Sequence, residues 1–194
     1  MTDFGSLVEK RIRESIQVKQ ALLDREKQTI VSVGQLLVDA YRKQATVFLF
    51  GNGGSAGDAQ HIAAELVGRF TMERRALPAV ALTTNTSTLT ALGNDYSYDI
   101  VFSRQLEAFG RPGDIAIGIS TSGNSGNVLA GLETAKRLGM VTVGMTGETG
   151  GRIRDITEHC ICVPSRDTAR IQESHITVGH ILCEMIEAEL FSEI

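Results

Sequence analysis

The sequence predicts a doubly wound α/β fold: a three-layer α/β/α sandwich around a five-stranded parallel sheet, with N-terminal helices before it and a long C-terminal helix after it. Three observations point there. Five short runs, 46–50, 79–83, 115–119, 141–146 and 160–163, are apolar without alternation, as strands covered on both faces must be. Stretches of helical period lie between them. The 20 glycines, against only 3 prolines, gather where strands should run into helices.

The elements follow in order. Val8, Ile12, Ile16, Ala21, Leu22 and Leu23 stand among charged and amide residues, and Ile30, Val33, Leu36, Leu37 and Ala40 form a second apolar set. Both read as helix, with Gly34 weakening the second piece. The strand at 46–50 runs through a glycine turn into a helix over 56–70. The strand at 79–83 leads to a helix over 100–109, the strand at 115–119 to a helix over 127–138, and the last helix spans 171–191.

Composition narrows the function. At 194 residues the chain has room for one domain, taken as 1–194 with the helices of 1–44 available for oligomerisation. Nineteen basic and 23 acidic side chains leave a net charge of −4, which argues against a nucleic-acid partner. No apolar run is long enough for a membrane span, and residues 1–20 show no signal-peptide core. Three cysteines, Cys160, Cys162 and Cys183, lack metal spacing and read as idle thiols in a reducing cytoplasm.

In such sheets ligands bind beyond the carboxyl ends of the strands. After the first strand stands Gly51-Asn52-Gly53-Gly54-Ser55-Ala56, a spacing that matches a dinucleotide loop. The second strand ends Thr83-Thr84-Asn85 without the acid that holds ribose hydroxyls, so the loop reads as a packing turn or as the approach to another polar ligand. The following helix carries Asp58, His61 and Glu65. His61 and Glu65 share a face one turn apart, which suits a metal clamp, an acid–base pair or a plain surface ion pair.

The third strand ends Ser120-Thr121-Ser122-Gly123-Asn124-Ser125 at a helix start. Hydroxyls there, with free N–H groups and the helix dipole, suit a phosphate monoester. No GK[ST] follows and no GxSxG is present, so neither a P-loop nor a hydrolase nucleophile is indicated. Gly93-Asn94-Asp95 either meets sugar hydroxyls or makes a turn. Gln172 and His180 on the last helix are separated by eight residues, about 12 Å of rise, too far to ligate one ion from one straight helix.

Together these motifs, in this order, resemble the sugar isomerase (SIS) domain family, and within it the phosphoheptose branch. The resemblance covers nearly the whole chain and implies ketose–aldose isomerisation of sedoheptulose 7-phosphate to D-glycero-D-manno-heptose 7-phosphate through a cis-enediol, the first step towards nucleotide-activated heptose. It implies Glu65 as base and His180 as acid. Asn52, Gly53, Gly54, Ser55, Glu65, Asn94, Asp95, Ser120, Thr121, Ser122, Ser125 and Gln172 would bind substrate. One zinc per subunit would sit on His61, Glu65, Gln172 and His180. A cytoplasmic homotetramer with active sites between subunits goes with it. Two rivals remain: a non-catalytic SIS adaptor or sensor, such as the relative that binds the replication initiator DnaA, and an isomerase of another phosphosugar. Retention of Gly54, Glu65 and Ser122 favours an enzyme.

Overall fold

The computed structural model describes residues 3–192; residues 1, 2, 193 and 194, the ends of the expected 1–194 unit, lie outside the described residues. Five strands, β1 (Val47–Gly51), β2 (Ala79–Ala81), β3 (Ile115–Ser120), β4 (Val141–Thr146) and β5 (His159–Cys162), form one parallel sheet in the order β2-β1-β3-β4-β5. β1 and β3, every residue of which is buried, occupy the middle.

Seven helices cover the sheet: α1 (Phe4–Arg42), α2 (Gly54–Val67), α3 (Thr86–Asp95), α4 (Ser103–Phe109), α5 (Gly126–Arg137), α6 (Gly151–Ile156) and α7 (Thr168–Phe191). Alternate strand side chains feed two cores. Val47, Leu49, Ile117 and Ile119 pack under α1, α2 and α7, together with Leu37, Ile62 and Leu182. Phe48, Phe50 and Ala116 pack under α4 and α5, with Leu106, Val128 and Leu132. The three layers and the all-parallel sheet are those the apolar runs predicted. No helix among the described residues is long and apolar enough to cross a membrane.

The structure differs from the sequence reading in several elements. The N-terminal apolar sets belong to one continuous helix of 39 residues. The helix runs unbroken through Gly34, where the Met185 side chain of α7 packs against the backbone. β2 stops at Ala81, and a helix the periodicity did not signal, α3, follows, capped by Asn85 Oδ1 accepting from Thr88 N at 3.0 Å. No residue of α3 is fully buried; only Leu89 and Leu92 pack against the second core, too short an apolar stripe to read. The short α6 was missed for its length, and it opens on Gly150 and Gly151, both with positive φ. The three thiols are free; Cys160 and Cys162 lie on the edge strand with their Sγ atoms 3.7 Å apart.

One irregular segment is held from α7. Glu187, 1% exposed, accepts backbone N–H groups from Phe70, Thr71 and Met72 at 2.8–2.9 Å, the Thr71 hydroxyl at 3.0 Å and Arg74 Nε at 3.0 Å. Burial opposes the carboxylate charge, but these donors outweigh it and push the Glu187 pKa from 4.5 down to about 2. A carboxyl whose folded pKa is depressed stabilises the fold above its unfolded value and loses that contribution as pH falls through the folded value. Thermal unfolding measured across pH should therefore show a midpoint that drops between pH 4.5 and about 2, and Glu187→Gln should flatten that part of the profile.

Candidate active site

The sheet reverses direction of growth between β1 and β3, the place where the loops after two neighbouring strands diverge and leave a crevice. Both loops singled out by sequence end there. After β1, Gly53 turns the chain with φ +56°, a conformation that favours glycine. Any Cβ on Gly54 would overlap the carboxamide of Gln172, so glycine lets α7 lie against the first turn of α2. Ser55 is buried beneath the loop, where a Cβ on Gly51 would lie 2.8 Å from it.

Asn52 is joined across the crevice to Asn127, the second residue of α5. Each amide donates to the other, at 2.8 and 2.9 Å. Asn127 is buried and was not singled out in the sequence; an isolated Asn two residues past a cap carries no signal of its own.

Beyond β3, Ser120 Oγ lies 2.9 Å from Ser125 Oγ and 3.3 Å from Ser122 Oγ. Ser122 Oγ accepts from Asn124 N at 3.1 Å. Gly123 has φ +68° and rests backbone to backbone on Gly150 and Gly151, with Ile153 N donating to Gly123 O at 3.0 Å. No side chain caps α5, so the amides of its first turn stay open beside the hydroxyls. A cleft of about 460 Å³ adjoins this loop, running from Thr121 and Ser122 to Ser165, Arg166 and Thr168. Arg166, whose Nε donates to Glu148 at 2.7 Å, brings a cation to that cleft; the sequence reading passed over it as an exposed arginine in a loop.

The second group of predicted residues sits further along α2 and α7. Gly54 meets Gln172 and Ile62 meets Gly179, so the two helices run side by side in the same direction. A Cβ on Gly179 would lie 2.6 Å from Ile62 Cδ1. That close approach brings the neighbouring residues together. His61 Nε2 lies 3.2 Å from His180 Nε2 and 3.1 Å from Glu65 Oε1. Phe70 stacks on the His180 ring, centroids 5.4 Å apart at 29°.

The donor atoms of His61, Glu65 and His180 all lie within 4.8 Å of one another. One imidazole nitrogen, His61 Nε2, faces both a carboxylate oxygen and a second imidazole nitrogen, and it has only one proton or one lone pair to offer. A divalent cation accepting all three groups satisfies them together, and two imidazoles with a carboxylate suit zinc while leaving a further position open. Gln172 is not in this group: eight residues earlier on α7, its carboxamide lies against Gly54. Asn94 and Asp95 are exposed at the end of α3, where Asn94 Nδ2 donates to Asp95 Oδ1 at 2.9 Å.

Residues 12–147 match the sequence model of the SIS domain. The chain belongs to the SIS-domain family. Within that family it is similar over nearly its whole length to phosphoheptose isomerases. It is 54% identical to that of Roseiflexus sp. strain RS-1 over 94% of this chain and 92% of the relative. It is 57% identical to that of Aquifex aeolicus over 93% and 94%. The solved phosphoheptose isomerase GmhA from Neisseria gonorrhoeae superposes with a TM-score of 0.91 at 41% identity, covering 96% of this chain and 100% of the other. A phosphoheptose isomerase from Francisella tularensis gives 0.92 at 34% identity, covering 95% and 98%. The five-stranded SIS fold with its long last helix is therefore shared with phosphoheptose isomerases.

The Gly179–Ile62 contact is directly testable. Gly179→Val should force α2 and α7 apart, lower stability by about 1–3 kcal/mol and separate His61 from His180. Thermal unfolding and metal-binding calorimetry would both register the change, and Ile62→Ala in the same chain should restore much of it.

Proposed function

We propose that this chain is a ketose–aldose isomerase that converts sedoheptulose 7-phosphate to D-glycero-D-manno-heptose 7-phosphate, the first step towards nucleotide-activated heptose for surface glycans. The observation that carries the reading is the meeting of His61, Glu65 and His180 between α2 and α7, in a chain about half identical to phosphoheptose isomerases along nearly its whole length.

The chemistry follows from the side chains. One carboxylate oxygen of Glu65 is engaged by His61; the other takes the proton from C1 of the ketose. His180 gives a proton to O2, leaving a cis-enediol. His180, left neutral by that transfer, takes the O1 proton as C2 receives the proton back from Glu65, so the aldehyde forms at C1 and both groups return to their starting states. An imidazole suits the oxygen transfers because its ordinary pKa lies near neutrality. Ser120, Thr121, Ser122 and Ser125 with the open amides of α5 hold the phosphate, and that remote grip positions the reacting carbons. Asn52, Gly53, Gly54, Asn94, Asp95 and Gln172 meet the hydroxyls between, and Ser55 shapes the loop from beneath. A zinc ion on His61, Glu65 and His180, with Gln172 of another copy as a further ligand, would supply Lewis-acid polarisation of the carbonyl when bound.

The spacing of the two groups supports active sites shared between subunits of a tetramer. Glu65 lies eleven residues along α2 from the glycine loop, about 16 Å of helix, a long reach for one sugar phosphate. The first half of α1 supports the same assembly: Phe4, Val8, Ile12 and Ile16 recur every four residues on one face, all more than half exposed. Residues 3–192 then act as one SIS unit whose α1 builds the oligomer. A cytoplasmic location goes with the same reading, since free thiols suit a reducing compartment.

Two outcomes test the reading. Incubation with sedoheptulose 7-phosphate in D₂O, followed by NMR, should show aldoheptose with deuterium at C2 for the wild type. No turnover should follow in Glu65→Gln, and turnover should fall when a chelator strips the metal; full activity of Glu65→Gln removes it as the base. Ile12→Glu with Ile16→Glu should shift the mass by light scattering to smaller species and abolish turnover together, whereas an unchanged mass would place the interface elsewhere.

A further inference from the structure

Resting on the isomerase reading above, we propose that Phe70, locked by the buried Glu187–Arg74 pair, is a positioning element that sets the plane of the His180 ring and its distance from Glu65. His180 is fixed to α7 by its backbone, but rotation of an imidazole about χ2 is broad and poorly restrained. Its orientation must come from what touches the ring. One nitrogen meets His61. The face is covered by Phe70, stacked at 5.4 Å and 29°, an offset aromatic arrangement that favours one ring plane.

Phe70 stands outside any helix or strand, so something must hold it in place. Its own backbone N–H donates to Glu187 Oε1 at 2.8 Å, and the next two residues donate to Oε2. Glu187 is seven residues beyond His180, two turns along the same face of α7. The helix that carries the acid thus reaches out with a carboxylate and presses an aromatic ring back onto that acid.

Arg74 closes the circuit on the side of the base. Its Nε pairs with Glu187, both side chains being 1% exposed. Its NH2 donates to the carbonyl of Glu65 at 2.8 Å and its NH1 to those of Leu66 and Gly68 at 2.9 and 3.1 Å. Those of Glu65 and Leu66 are among the last carbonyls of α2, which have no partner within their own helix, and Gly68 is its C-cap. One buried ion pair therefore ties down the turn that bears Glu65 and the ring that faces His180. Stability alone does not call for it, since buried ion pairs can often be replaced by apolar side chains without loss.

The test uses Phe70→Leu, which keeps an apolar side chain of fair size, Phe70→Tyr, which keeps the ring, and Glu187→Gln. Two readouts are taken on each: steady-state kinetics with sedoheptulose 7-phosphate, and the ¹³C–¹H signals of His180 in histidine-labelled protein, assigned by their loss in His180→Asn. Phe70→Leu should lose the ring-current shift of His180 and about tenfold in kcat, the scale expected when a reacting group is slightly misplaced, with KM nearly constant because the phosphate grip is untouched. Phe70→Tyr should restore both. Glu187→Gln should change them in the same direction as Phe70→Leu, and if it does not fold the Phe70 pair still decides. Unchanged His180 signals in Phe70→Leu, or shifted signals with wild-type kcat, overturn the proposal. Should the wild type not turn over this sugar, the isomerase reading fails by itself, and the positioning contact is judged on the His180 signals alone.

Discussion

Helices α2 and α7 lie beside each other on one face of the sheet, and at Gly179 nothing but a hydrogen stands between the α7 backbone and Ile62. Most of what is chemically interesting in the molecule is arranged by that approach. It puts His61 beside His180, leaves Gln172 across the first turn of α2 at Gly54, and sets Glu187 where it can gather the chain after α2. α1 then packs on the outside of α7, with Gly34 admitting Met185. Two glycines thus stand at two helix crossings where a side chain of the facing helix lies close against the backbone.

The proposed phosphate end of the site is built on a different principle. It would hold an anion, in a protein of net negative charge, with hydroxyls, amides and a helix terminus in place of a wall of cations. Such a cradle works only if its donors are already aimed, because weak dipoles must not have to reorganise around the ligand. The rigidity is visible in the chain: Gly123 sits on the Gly150–Gly151 backbone, Gly147 N donates to Thr121 O at 3.1 Å, and the Asn52–Asn127 amide pair fixes the opposite wall. The loop after β4, which contributes little chemistry of its own, is the buttress for the loop after β3.

The two ends differ in what encloses them. The serine loop is complete within one chain, whereas the His61–Glu65–His180 group is only partly covered, with His61 about half exposed. A partly open acid–base group, as proposed for Glu65 and His180, would gain little from low dielectric until something covers it. The projecting half of α1, with its apolar stripe, is the feature of the same chain suited to bring a second copy there. In the proposed assembly, fold and catalysis are one problem: the first half of α1, exposed in a single chain, would supply the surface that encloses the site.

The sequence by itself determined the sheet, its parallel sense and both ligand loops, because strands buried on two faces must be apolar throughout and because glycines and serines at strand ends leave a pattern readable within six residues. It also gave His61 and Glu65 as a pair, since one helical turn is a local distance. It did not give α3, which packs only Leu89 and Leu92 against the core, too few to mark a period, nor the single run of α1, since the packing at Gly34 depends on Met185, some 150 residues away in sequence. Asn127, Arg166, Phe70 and Glu187 were equally silent: each matters through a partner on another element. Only the tertiary structure decided that, within one chain, His180 meets His61 and Glu65 while Gln172 lies at Gly54, because that choice depends on where two helices cross, and a crossing is set by the packing of side chains distant in sequence.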